Sequence, residues 1–154
     1  MSRRALWRAL AACLCAAPTI GLAGCGSGAL SDRQLHSRAT AICKRASART
    51  DRIASPAMPS GSARFLSAGI AAIDPELTAL RRLHAPGDMA DDYRDALSAS
   101  GAELAALRSS LHGLRAGDDA VTAIKSLQQQ LEPAEARAQD AWSALHLPAC
   151  QEAT

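Results

Sequence analysis

From Leu35 onward, apolar side chains recur at alternating spacings of three and four, the period of a helix with one buried face. The first stripe reads Leu35, Ala39, Ile42, Ala46, passes over Arg49 and reaches Ile53. Ser31 and Asp32 stand ahead of it as N-cap candidates. The run Ser55-Pro56-Ala57-Met58-Pro59-Ser60-Gly61-Ser62 ends it, because proline and glycine punctuate regular structure. A second stripe, Leu66, Ile70, Ile73, Leu77, Leu80, carries on to about His84. Pro75 lies inside it and removes a backbone donor, so a kink or break is expected near Ile70 to Asp74. Ala85-Pro86-Gly87-Asp88 separates it from the third, with Asp88 as the expected cap. The third stripe is Tyr93, Leu97, Ser100, Leu104, Leu107, Leu111, Leu114, stopped by Ala116-Gly117. The fourth runs Ala120, Ile124, Leu127, Leu131, Ala134, Ala138, Ala141, Leu145, with Asp118 as its expected cap and Pro133 as a second bend.

Helices of about 20–28 residues are roughly 30–42 Å long at 1.5 Å per residue. Two of the three connections are short, and short connections make antiparallel neighbours. The expectation is an all-α fold: an antiparallel, up-down-up-down four-helix bundle over residues 32–150, with proline bends in the second and fourth helices. Residues 151–154 read as a polar tail.

Composition agrees. Hydrophobic residues make up 48% of the chain but aromatics only 3%, which suits helices packed through alanine and leucine better than a β-sandwich. The formal charge of +2 is misleading. Arg3, Arg4 and Arg8 precede any acid, and taking those three from the 17 basic residues leaves 14 against 15 acids. A near-neutral domain with interspersed charges gives no case for nucleic acid, and it lacks the polybasic cluster of a headgroup binder.

Those three arginines open a segment of another kind. Ala9 to Leu22 is apolar and too short to span a bilayer, which takes roughly 20 residues. It ends in Leu22-Ala23-Gly24-Cys25, which resembles the bacterial lipobox at all four positions. The resemblance implies a signal peptide over residues 1–24, cleavage between Gly24 and Cys25, and diacylglycerol attached to the Cys25 sulfur. Two acyl chains anchor stably where one is marginal. Residues 25–31, with Gly26-Ser27-Gly28, then read as a short flexible tether. The expected location is the cell membrane, lipid-anchored on its extracytoplasmic face. Ser2-Arg3-Arg4-Ala5-Leu6 partly resembles a twin-arginine export signal, with Sec export the favoured route.

Five cysteines then sort by position. Cys13 and Cys15 leave with the signal peptide and Cys25 carries lipid, so Cys43 and Cys150 remain as an even pair in an oxidising compartment. A disulfide is the expected state; free thiols or a metal site is the other reading, with no second Cys or nearby His to complete a ligand set. Cys43 lies about 11 residues up its helix, some 16 Å from the base. The four residues from His146 to Cys150 reach at most about 14 Å. A bond therefore requires the C-terminal segment to fold back over the first and fourth helices.

With those residues in place, the mature chain resembles a loose group of small secreted proteins and lipoproteins of high-GC Gram-positive bacteria. The shared pattern is Ala-x-x-Ile-Cys early in the first helix, here closing on Thr40-Ala41-Ile42-Cys43, and a terminal Leu-Pro-Ala-Cys, here Leu147 to Cys150. Thr40 stands where the group more often has Ala. The resemblance implies the helices and the disulfide, and no mechanism.

Chemistry-bearing patterns are few. No Glu has a His three residues on, as a di-iron bundle needs. Cys-x-x-Cys-His, His-Glu-x-x-His, Gly-x-Ser-x-Gly and phosphate-cradling glycine loops are missing. In a bundle, His36, His84 and His146 fall toward one end, but His36 follows a core position and reads as solvated. Asp88, Asp91, Asp92 and Asp95 read as charge at a helix N-terminus and not as a calcium loop. Tyr93, Trp142 and Phe65 read as packing residues. No cofactor or metal is expected and no catalytic set is identified. The expected function is a non-enzymatic envelope interaction module, partnered by the membrane and another envelope protein. The alternative is a small-molecule-binding lipoprotein with a pocket between its helices.

Overall fold

The computed structural model describes residues 28–152, and these are all-helical. Helix α1 spans Asp32–Thr50, α2 Ser62–Arg81, α3 Ala90–Ala116 and α4 Ala120–Ala144; a last short helix, α5, spans Pro148–Gln151. A single 3-10 turn, Pro59–Gly61, leads into α2. The helix thus continues one residue into the segment read as a polar tail.

Local chemistry explains where each helix starts and stops. Ser31 caps α1 through a reciprocal pair: its hydroxyl accepts from the Gln34 amide at 3.4 Å, and the Gln34 side chain accepts from the Ser31 amide at 3.0 Å. This is a capping box, which satisfies two otherwise orphaned donors. At the other end the Thr50 hydroxyl donates to the carbonyls of Ala46 and Ser47, competing for the groups that would propagate the helix. α1 consequently ends three residues short of Ile53, which sits half-buried in the following turn.

Further boundaries differ from expectation. α2 begins four residues before Leu66 and ends at Arg81, not His84; Pro86 disfavours helical geometry at Ala85, and the chain has already left the helix. Asp88 does not cap α3, since Met89 occupies the cap position with no side-chain cap bond. Asp119, not Asp118, caps α4: its carboxylate accepts from the Thr122 amide at 2.9 Å and hydroxyl at 2.8 Å. Asp118 is otherwise engaged, its amide donating to the Gly113 carbonyl to close α3. That closure needs Gly117 at φ 104°, a left-handed conformation that glycine adopts freely.

α2 and α4 run unbroken through Pro75 and Pro133. α3 packs against both α2 and α4, and α1 packs against α2. α1 and α4 share no comparably extensive contact; α5 packs against both. The apolar core falls into two parts. The larger gathers Leu35, Ala39, Ile42, Leu80, Tyr93, Ala138, Trp142, Leu145 and Leu147. The smaller holds Leu66, Leu111 and Leu127, with Phe65, Ile70 and Ile124 partly buried around it. Both parts draw on α3, where Tyr93 of the larger and Leu111 of the smaller stand about 27 Å apart along the helix.

Candidate functional site

The best-defined construction is the clasp at the C-terminus. Trp142 is almost fully buried; its ring meets Tyr93 edge-on with centroids 5.9 Å apart, and its indole N–H donates to the Ser100 hydroxyl at 3.2 Å. The Tyr93 hydroxyl donates to the Leu80 carbonyl at 2.8 Å, and burial pushes its ionisation upward. Both polar tips are thus satisfied, as buried aromatics require. α4 then stops with the same pair of bonds that ends α3: Leu147 N–H to Trp142 C=O at 3.0 Å and His146 N–H to Ser143 C=O at 2.9 Å. The left-handed residue here is His146, at φ 53°, a conformation costly for a residue with a Cβ.

That turn sends the chain back across the bundle. Cys150 meets Cys43 in a disulfide with Cα atoms 4.9 Å apart, and α5 lies against α1 and α4. The fold-back required by the reach of residues 146–150 is present. The remaining space beneath the bond is about 30 Å³, lined by residues including Ile73, Leu77, Ser100 and Trp142. That volume suits about one water molecule, far short of the several hundred Å³ of a small-molecule site.

Two buried carboxylates were not legible as site residues. Glu76 on α2 is held by Arg49 at 2.7 Å and Arg45 at 3.5 Å, both from α1. The gap that Arg49 makes in the first stripe is therefore an ion pair. Glu103 on α3 is only 7% exposed, and its Oε1 has no hydrogen-bond partner. Desolvation, with the nearby Glu135 carboxylate on α4 adding to it, pushes its pKa up to about 7. Burial disfavours a charged carboxylate and a like charge disfavours it further.

Shallow grooves mark the surface of the described residues, four of them prominent. One, of about 580 Å³, runs between the α1–α2 loop and α2, lined by residues including Ile53, Met58 and Phe65. A second, of about 610 Å³, lies between that loop and α4, against Val121 and Ile124. Pro56, Ala57 and Met58 form the ridge between them. Met58 and Val121, 66% and 64% exposed, are the large hydrophobic side chains most open to solvent among the described residues. The other two grooves are polar. One is lined by residues including Asp118, Asp119 and Ser126, the other by Asp92, Asp95, Arg137 and Asp140.

Of the residues read from sequence, Cys43 and Cys150 are joined. Gly24, Cys25 and the signal segment 1–24 lie outside the described residues. His84 and His146 are exposed and His36 is half-buried; among the described residues no three His, Cys, Asp or Glu side chains form a group that could hold a metal ion. Asp91 pairs with Arg94 at 2.7 Å within the first turn of α3. No described helix is long and apolar enough to cross a membrane. Comparison with known protein families, characterised proteins and solved structures returned no match.

Proposed function

We propose that the protein is an exported lipoprotein, anchored by diacylglycerol on Cys25 to the extracytoplasmic face of the cell membrane, whose domain is a non-enzymatic module for docking another envelope component. The observation that carries the reading is the juxtaposition of Leu22-Ala23-Gly24-Cys25 with a tether of a few residues and then a disulfide-stapled helical domain. A disulfide belongs to oxidising compartments, so Cys43–Cys150 supports export independently of the lipobox. The buried carboxylates Glu76 and Glu103 face charged groups of neighbouring helices and the grooves are shallow, which favours surface contact over chemistry in a cleft.

The domain is proposed to be an antiparallel up-down-up-down bundle with bends at Pro75 and Pro133. Side-chain contacts along one pair of helices support this order. Leu80 meets Tyr93, Asp74 meets Arg108 and Ser67 meets Arg115, so numbers fall on α2 as they rise on α3. Leu30 is tied to the His84 carbonyl at 2.8 Å, so the residues just ahead of α1 lie beside the α2–α3 connection.

Intact-mass analysis of protein extracted from native membranes tests the anchor. The expected mass is that of a chain starting at Cys25, bearing diacylglycerol and one disulfide. C25A is expected to leave the membrane fraction. A mature start elsewhere, or no acyl mass, would overturn the reading.

A further inference from the structure

We infer that the two apolar grooves flanking the Pro56–Met58 ridge dock an apolar segment of another protein that carries carboxylates, with Arg64 and Lys125 as their counter-charges. The inference rests on the docking reading above and specifies its surface and partner chemistry.

Each groove is lined mainly by apolar side chains and holds one charged residue: Arg64 in the first, Lys125 in the second. Neither lining includes an acid. The acids of the neighbouring α4 start, Asp118 and Asp119, line the polar groove instead. Among the described residues, neither cation is held in an ion pair by an acid within 4 Å. Met58 and Val121 stand exposed on either side of the same groove, where burial would stabilise a complex through the loss of apolar surface from water. Both grooves are open to solvent, not enclosed, so they fit an element laid against them better than an enclosed small molecule.

The charge pattern selects among occupants. An isologous pair uses the same patch on both subunits, so a second copy would bring Arg64 and Lys125 against the same cations with no acid in the linings to offset them. A lipid surface needs a cluster of basic residues, and these grooves hold two. The tether, moreover, leaves beside His84, at the core that contains Tyr93, whereas the ridge borders the core of Leu66 and Leu127, whose α3 member Leu111 lies about 27 Å along the helix from Tyr93. An acidic, apolar protein segment satisfies both features.

In-cell photocrosslinking of the full anchored chain tests this. Benzoylphenylalanine is placed at Met58 or Val121, and for comparison at Ser98 or Gln130 in the two polar grooves. The expected result is a crosslink from the first pair to another protein, at an apolar peptide bearing Asp or Glu. The double variant R64E/K125E should reduce its yield at least tenfold while the Cys43–Cys150 bond still forms, as checked by mass. Crosslinks to a second copy, to lipid, or to a peptide insensitive to R64E/K125E would overturn the inference. Crosslinks from Ser98 or Gln130 alone would also overturn it while leaving the docking reading intact. No protein crosslink from any of the four positions would sink both.

Discussion

The two ends of this bundle are built from the same small aliphatic vocabulary and hold together in different ways. Around Trp142, fourteen buried residues form one continuous cluster, stapled by Cys43–Cys150 and tied by the Trp142–Ser100 and Tyr93–Leu80 hydrogen bonds. Around Leu127, three buried residues suffice, and the neighbouring loop leaves Met58 and Ile53 against open grooves. One end spends its apolar surface on itself. The other leaves part of it exposed, and an exposed apolar ridge between grooves is consistent with the docking surface proposed above.

The largest expected difference comes from removing the staple. C43A/C150A opens a loop spanning 107 residues, a loss of about 4–5 kcal/mol in the chain-entropy model. Urea unfolding measures it, and a loss under 1 kcal/mol would mean that packing alone holds α5 in place. Core truncation should then separate the two ends. W142A removes a fully enclosed ring and is expected to cost about 3–5 kcal/mol, whereas L127A, next to open grooves, should fall near the lower limit of the 2–5 kcal/mol range for such changes.

Between the ends sits Glu103, whose effect depends on pH. Its pKa is raised from 4.5 to about 7 in the fold, so between those values the native state binds more protons than the unfolded chain. Stability from this group is therefore full below pH 4.5, declines as pH rises through 7, and is flat above it. E103Q should remove that decline and stabilise the protein at pH 8 by roughly 1–3 kcal/mol. Unfolding midpoints at pH 5 and pH 8 check it; an unchanged slope in E103Q would assign the dependence elsewhere. The smallest effect concerns the turn into α5. His146 occupies the left-handed position that Gly117 occupies at the end of α3. H146G should stabilise by about 0.5–1 kcal/mol, because glycine carries no Cβ penalty there.

The core was readable because alanine and leucine repeat at helical spacing, and most stripe positions are buried. The clasp was readable because chain reach left the C-terminal segment one way to bring Cys150 to Cys43. Glu76 and Glu103 were not, and the reason lies in how α2 and α3 are shared. α3 packs on two neighbours and so buries a second row beside its leucines: Ala96, Ala99, Glu103, with Ala106 partly buried. On α2 the corresponding row is Ala72, Glu76, Ala79. Rows of alanine interrupted by a glutamate read as solvated faces when one stripe per helix is sought. A search for two rows would have flagged both carboxylates. The apolar ridge was hidden for another reason: Pro56 to Gly61 signals a loop, and loop chemistry says where a helix ends without saying what the loop covers. Asp88 and Asp118 have the side chain of a cap without its position, because the cap position depends on how the preceding turn closes, which residue type alone does not determine.

Hydrogen exchange on the full chain, read peptide by peptide, tests the division between the two ends most directly. The slowest exchange is expected in α1 and from Ala134 to Leu145, where the staple and the Trp142 cluster act. Openings of markedly lower free energy are expected in the first turns of α2 and α4 around the Pro56–Met58 ridge. Equal protection at the two ends, or slower exchange around Leu127 than around Trp142, would contradict that division.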